Sequence, residues 1–180
     1  MKSKKGISLI VLIITIIVII ILAAAVILTL NKNNPIDNSR VAQLAENRLN
    51  INSALNVYFG KKMAETQGSL ETNQIFLGAT AINGVEVTAI VEADDILAAG
   101  SNYYELTVEK AKEALDIKLP EITSAKWYLD VTSGLVYLVY EDAENVPAWM
   151  YQEGDKTKPM DTTLDQFVKV SSEGNLIDVK

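Results

Sequence analysis

The stretch KWYLDVTSGLVYLVY (Lys126–Tyr140) predicts the centre of the fold. Two runs rich in aromatic and β-branched residues flank Thr132-Ser133-Gly134, and glycine supplies the positive φ that a tight connection needs. The pattern therefore predicts a β-hairpin with Gly134 in its turn. Its large aromatic side chains are expected in the core or in cross-strand pairs: Trp127, Tyr128, Tyr137 and Tyr140.

On either side of this hairpin, further stretches predict local structure. IFLGATAINGVEVTAIVE (75–92) carries Asn83-Gly84, the strongest short hairpin signal, between two β-prone runs. QFVKVSSEGNLIDV (166–179) predicts a third hairpin, and Thr107 is suited to cap a helix VEKAKEAL (108–115). The segment 144–163 is expected to be a loop, either pinned into the core by Trp149 or presenting PAWMY (147–151) as a contact surface.

A long amphipathic helix is predicted upstream, over residues 38–67. Apolar residues recur there at helical spacing, and Arg48 occupies the slot that the pattern leaves open, where its aliphatic stem can cover apolar surface. The stripe consists of Val41, Leu44, Ile51, Leu55 and Tyr58. Because such a stripe must be buried, we expect it to pack on the strands of a head formed by residues 70–180, which are predicted to be antiparallel. The predicted fold class is α+β.

The N-terminal segment contains an uncharged apolar run from Ile7 to Leu30, preceded by Lys2, Lys4 and Lys5. About 20 apolar residues span a bilayer core as a helix, and basic residues favour the cytoplasmic side. The pattern predicts a membrane-spanning apolar half of one N-terminal spine helix, with 31–37 as a break or kink at Pro35. One alternative is a signal peptide that is removed, since Ala23–Ala25 resembles a small-residue cleavage site. The other is an anchor that is never cut.

Composition excludes several function classes. The chain has 16 basic and 23 acidic residues, for a net charge of −7, which disfavours nucleic acid and anionic lipid surfaces as partners of the head. It has no cysteine and no histidine, so disulfides, thiolate sites and histidine-based acid–base or zinc chemistry are excluded. No phosphate-binding glycine loop, dinucleotide fingerprint or nucleophile elbow is found. We therefore predict no catalytic residues, no metal and no cofactor, and a protein that is not an enzyme.

Acidic residues cluster in three places. These are Glu92, Asp94 and Asp95; Glu141, Asp142 and Glu144; and Asp155, Asp161 and Asp165. None follows the spacing of a calcium loop, so a solvated acidic surface is the preferred interpretation. A calcium site and a carboxylate pair for glycoside hydrolysis remain the alternatives.

KKGISLIVLIITIIVIIILAAAVI (Lys4–Ile27), followed by an amphipathic helix and a β-rich head, resembles the N-terminal segment of type IV pilins and pseudopilins. The resemblance implies a leader of residues 1–6, cleaved between Gly6 and Ile7 by a prepilin peptidase that methylates the new amine. Residues 7–30 would then be the transmembrane and assembly helix. In its lack of cysteine and in the Asn/Pro stretch after Leu30, the chain is similar to pilin-like proteins of Gram-positive bacteria.

One position departs from the family pattern. The family usually carries glutamate as the fifth mature residue, where it pairs with the N-terminal amine of a neighbouring subunit. This chain has Val11 there. Within the family such a departure is associated with minor subunits located at the tip.

The resemblance implies a structural subunit of a type IV pilus-type filament. Its partners would be other pilin subunits, including a major pilin with the glutamate, the prepilin peptidase, the pilus assembly platform, and the membrane before assembly. The chain is expected as a single-pass protein of the cytoplasmic membrane before assembly, with its N-terminus in the cytoplasm, and in a cell-surface filament afterwards. The alternatives are a pseudopilin of a secretion or DNA-uptake machine, a bitopic membrane-anchored extracellular binding protein, and a carboxylate-based surface enzyme.

Overall fold

The computed structural model describes the backbone of residues 5–32, 35–78, 87–152, 155–159, 162–172 and 175–178. Side-chain surroundings are described for 11–26, 35–78, 87–151, 162–172 and 176–177. The chain divides into two compact units, Met1–Arg40 and Val41–Lys180.

The first unit contains helix α1, Lys5–Lys32. Among the residues that the structure describes, no helix is both long enough and apolar enough to cross a membrane. The predicted fold, in which the apolar half of one long spine helix spans the membrane, is therefore wrong on this point.

Helix α2 runs from Pro35 to Glu65. Proline is favoured at the first helical position because its missing N–H would be unpaired there in any case. The predicted stripe of α2 is buried in full: Val41, Leu44, Ile51, Leu55 and Tyr58. The amphipathic helix and its buried face are thus confirmed, but the bounds differ from the predicted 38–67. The helix begins at Pro35, inside the segment 31–37 predicted as a break or kink, because proline fits the first turn of a helix; residues 33–34 of that segment lie outside the described residues.

The second unit is built on a five-stranded sheet in the order β1-β2-β3-β6-β7. Its strands are β1 Tyr103–Glu105, β2 Ala125–Asp130, β3 Leu135–Tyr140, β6 Val168–Ser172 and β7 Asn175–Asp178. Strands β4 (Tyr151–Gln152) and β5 (Asp155–Pro159) form a separate pair. The remaining helices are α3 Thr72–Leu77, α4 Val108–Leu115 and α5 Thr162–Asp165.

The sheet is mixed, which corrects the predicted antiparallel head. Strand β6 pairs with β3 in parallel, with Leu138 opposite Val168. The connection from β3 to β6 contains two 3-10 helices, the β4–β5 pair and α5. A connection of that length permits a parallel return, whereas a short turn does not. The α+β class itself agrees with the structure.

Two of the predicted hairpins and the short helix are confirmed. Strands β2 and β3 pair antiparallel around Gly134, whose φ is +72°, and β6 pairs antiparallel with β7. Helix α4 begins after Thr107, whose side chain accepts a hydrogen bond from the backbone N–H of Lys110.

The hairpin predicted over 75–92 is wrong at both described ends. Ile75, Phe76 and Leu77 lie in α3, and residues 87–92 are not in a strand. The turn at Asn83-Gly84 lies outside the described residues. Helix α3 is stabilised by a capping box of Glu71 and Gln74, and it buries Ile75 and Phe76 in the core. Local capping and burial therefore decide for a helix at residues whose composition favours a strand.

The 144–163 segment is more ordered than a loop. Its 3-10 helix Ala148–Met150 leads into β4, and Met150 and Tyr151 are buried. Trp149 is partly buried and packs against the hydrophobic core, which favours the pinned interpretation over an exposed contact surface.

Candidate assembly surface

The predicted processing site lies at the start of α1. Gly6 and Ile7 fall within the helical backbone of Lys5–Lys32, but their side-chain surroundings lie outside the described residues, as does the whole of 1–4. Cleavage between Gly6 and Ile7 therefore stays a prediction.

The described part of α1 has an apolar surface on all sides. Every side chain from Val11 to Val26 is exposed, and none of them is charged. The single hydroxyl in this range, on Thr15, donates to the backbone carbonyl of Leu12 at 2.8 Å, so the helix itself satisfies it. A helix that is hydrophobic all round is normally buried, either in the core of a large protein or in a membrane.

Val11 lies on this surface with about half of its side chain exposed (52%). It can pack against apolar neighbours but cannot neutralise a cation. The first acidic residue after the leader in the sequence is Asp37. Its carboxylate is 3.1 Å from the guanidinium of Arg40, so its charge already has a partner within its own unit.

By contrast, the stripe of α2 is covered by its own sheet. Leu55 is fully buried, and Arg48 and Asn52 bind both backbone polar groups of Val136 on β3. Arg48 Nε donates to the Val136 carbonyl at 3.2 Å, and the Val136 N–H donates to Asn52 Oδ1 at 3.1 Å. The guanidinium of Arg48 also lies 4.9 Å from the centre of the Phe167 ring. Burial lowers the pKa of Arg48, and Tyr137 opposes this change.

The sequence analysis missed this bidentate contact, because it assigned Arg48 only a role in covering apolar surface. The available signal was the spacing: Arg48 and Asn52 are four residues apart, so they lie on the same face of α2 as the apolar stripe. Polar residues on a buried face need partners, and the free edge of a strand supplies both a donor and an acceptor.

The opposite face of α2 retains exposed apolar side chains. Leu49 is 62% exposed and Val57 is 72% exposed. Single exposed apolar residues are common on protein surfaces and by themselves mark no site.

Two of the clefts lined by described residues of the second unit lie beside α4. The first, about 290 Å³, lies between α2 and α4 and is lined by Tyr58, Lys61, Lys62 and Lys110 among others. All three of its lysines are engaged: Lys61 and Lys62 lie 4.0 Å and 2.9 Å from Glu65, and Lys110 lies 3.1 Å from Glu92. The hydrogen bond from Lys62 lowers the pKa of Glu65. Because these charges are already paired, the described lining of this cleft presents no unpaired cation to an anion.

The second cleft, about 280 Å³, lies beside β2 and carries the carboxylates of Glu105, Glu109 and Glu121. Within the described part of the chain, no three acidic side chains come close enough together to hold a metal ion.

The described residues thus distinguish two helices, one packed by its own domain and one exposed and uncharged over 11–26. No family model, curated protein or solved structure matches this chain. The features that bear on function are therefore the N-terminal segment, the exposed surface of α1 and the acidic head.

Proposed function

We propose that this chain is a structural, non-enzymatic subunit of a type IV pilus-type surface filament, assembled through α1 after cleavage between Gly6 and Ile7. The observation that carries the proposal is the uncharged, exposed surface of α1 from Val11 to Val26. Apolar surface on this scale is stabilised by removal from water, at about 25 cal/mol per Å². Apolar helices of neighbouring subunits would bury it in a filament core.

The packing of α2 also supports assembly through α1. Its stripe is already buried against the sheet, and its polar contacts to Val136 hold the helix to the head. The head therefore needs no partner to cover this face, whereas α1 does. The cell-surface location and the assembly machinery as partners are part of the proposal.

Val11 refines the proposal to a minor or tip subunit. An ammonium buried in an apolar core without a partner is strongly unfavourable, and Val11 offers no carboxylate to the amine at Ile7 of a neighbour. A subunit at the tip has no subunit above it that needs such a carboxylate, while its own amine can use the glutamate of the pilin below. We therefore expect incorporation to depend on a major pilin with that glutamate.

The test is the mass of the native N-terminus in cells that carry a pilus assembly system. The proposal expects a chain that begins at Ile7 with a methylated amine, recovered in sheared filaments. Gly6→Leu should leave the precursor uncut and absent from filaments, whereas Gly60→Leu, at an exposed glycine within α2, should still be cut. A native chain that retains residues 1–6, or that begins after Ala25, contradicts the proposal.

A further inference from the structure

Strand β3 has the composition of a segment that pairs with copies of itself. Its 6 residues, LVYLVY (Leu135–Tyr140), are leucine, valine and tyrosine only, so the strand carries no charge, no proline and no glycine. Segments of about six or seven residues with these properties stack edge to edge between chains when their backbone is accessible. The edges of β3 therefore have to be covered in the folded protein.

The two edges of β3 are covered in different ways. On one side, β2 pairs with β3 along the whole strand, from Leu135 to Tyr140. On the other side, the parallel pairing with β6 extends only from Leu138 to Tyr140. Within the part of the chain that the structure describes, no strand lies beside Val136 on this second side. The first half of this edge is therefore covered by something other than a strand.

Side chains of α2 cover the edge at Val136. Arg48 Nε donates to the Val136 carbonyl at 3.2 Å, and Asn52 Oδ1 accepts from the Val136 N–H at 3.1 Å. These contacts use the same backbone donor and acceptor that a neighbouring strand would use. The Arg48 guanidinium also lies 4.9 Å from the centre of the fully buried Phe167 ring, directly before β6, and this contact helps to hold Arg48 at the edge.

The polar pair on the packed face of α2 has a physical reason. Two apolar residues would avoid the desolvation of a guanidinium, but they would leave the backbone donor and acceptor of Val136 without partners. Another strand adds to a sheet through such unpaired groups, and a charged side chain directed inward is one means by which natural sheets prevent this. We propose that Arg48 and Asn52 block the edge of β3 at Val136, and that the strand they exclude is LVYLVY (135–140) of a second copy of the chain.

The choice of occupant follows from the charges of the central strands. Copies of one segment that stack in register place each residue beside its own copy, so charged residues in the segment oppose stacking. Strand β2 contains Lys126 and Asp130, and β6 contains Lys169. Strand β3 contains no charged residue, so a second β3 meets no such repulsion.

The experiment compares variants of the full chain in non-ionic detergent, which covers α1 in every sample. A double variant with Arg48→Met and Asn52→Leu has apolar side chains of similar length and lacks both contacts to Val136. Losing one hydrogen bond shifts an equilibrium by up to about tenfold, so this double variant should form thioflavin-positive fibrils at least about tenfold faster than the wild-type chain. Thioflavin fluorescence and electron microscopy at one protein concentration give the rates.

Leu55→Ala separates opening of this edge from a general loss of stability. Leu55 is fully buried, so its truncation leaves a cavity between α2 and the sheet but keeps both contacts to Val136. Leu55→Ala should therefore form fibrils more slowly than the double variant. The proposal is overturned if Leu55→Ala forms fibrils as fast as the double variant does. It is also overturned if the double variant stays soluble or gives aggregates without thioflavin fluorescence.

A matched pair of added lysines identifies the strand that pairs. In the double variant, Leu135→Lys adds a charge to β3 and Val108→Lys adds the same charge to α4, at side chains that are 40% and 38% exposed. Leu135→Lys should suppress the fibrils because stacked copies bring its charges together, whereas Val108→Lys should leave the rate within about twofold. Equal effects of the two lysines would refute β3 as the pairing strand. If circular dichroism shows that the double variant does not fold, Asn52→Leu alone replaces it, and the same outcomes support or overturn the proposal.

Discussion

Arg48 on α2 donates a 3.2 Å hydrogen bond to the backbone carbonyl of Val136 on β3, 88 residues further along the chain. Val136 lies opposite Leu129 in the β2–β3 pairing. The parallel pairing of β3 with β6 begins only at Leu138, two residues further along β3. Helix side chains thus take the place of a neighbouring strand at this residue.

Replacing Arg48 by methionine keeps an unbranched apolar stem and removes the donor. The Val136 carbonyl then loses its partner in a buried setting, which costs about 1–3 kcal/mol of unfolding free energy. Urea denaturation of the full chain measures the change. Arg40→Met is the matched control, because Arg40 is exposed and its ion pair with Asp37 is worth about 0–1 kcal/mol. Equal losses for the two variants would contradict the role of the contact.

Truncation of Leu55 tests the packing of α2 on the sheet. Leu55 is fully buried, so Leu55→Ala should lower the unfolding free energy by about 2–5 kcal/mol through lost burial and a residual cavity. Val57→Ala, two residues away on the same helix, removes a side chain that is 72% exposed and should change stability by no more than about 0.5 kcal/mol. A loss for Val57→Ala equal to that for Leu55→Ala would contradict the assignment of the stripe as the one packed face of α2.

Removal of two tyrosine hydroxyls should have opposite effects. The Tyr140 hydroxyl is buried without a hydrogen-bond partner in the described part of the chain, so Tyr140→Phe relieves a desolvation cost and should stabilise the head by about 1–3 kcal/mol. The Tyr58 hydroxyl donates to the Thr88 carbonyl at 2.7 Å, so Tyr58→Phe should destabilise it by about 0.5–1.5 kcal/mol. Thermal unfolding of the two variants side by side checks the signs, and a loss of stability in Tyr140→Phe would show that this hydroxyl has a partner.

Ionisation of Tyr140 should destabilise the fold at alkaline pH. Burial, and after it the proximity of Tyr151, raise the pKa of Tyr140 to about 12, from an ordinary value of 10. The folded state therefore holds this proton more tightly than the unfolded state does, and its contribution is complete below pH 10 and lost as the pH rises towards 12. The loss is about 2–3 kcal/mol in the wild-type chain. Denaturation measures the unfolding free energy at pH 9 and at pH 11.5. Its decrease between these pH values should be smaller for Tyr140→Phe than for the wild-type chain, and an equal decrease would rule out Tyr140 as the cause.

Position 11 should control where the subunit can be incorporated. Expressed with an assembly system but without other pilins, the wild-type chain should form few or no filaments, because no carboxylate at Val11 is present to pair with the amine of the next subunit. Val11→Glu should increase incorporation along the shaft, and Val11→Gln, which has nearly the same size but no charge, should not. Sheared filaments quantified by immunoblotting give the readout. Abundant filaments of the wild-type chain alone would refute the tip assignment.

The sequence determined the features that depend on near neighbours. The capped helix after Thr107, the hairpin around Gly134, the last hairpin and the buried stripe of α2 all follow from spacing, capping and turn chemistry within a few residues. The uncharged surface of α1 over 11–26 follows from composition alone. The proposed cleavage at Gly6 and the proposed role of Val11 rest on a family resemblance of the sequence and stay predictions.

Only the tertiary structure decided what depends on residues far apart in the chain. The parallel pairing of β3 with β6 joins strands separated by a long connection, and no local pattern specifies its direction. Residues 75–77 have strand-like composition, yet they form a helix because capping by Glu71 and burial of Phe76 outweigh a weak intrinsic preference. Likewise, the partner of Arg48 became apparent only once the sheet had placed Val136 beside α2, since a buried polar group takes whichever partner the packed fold brings within reach.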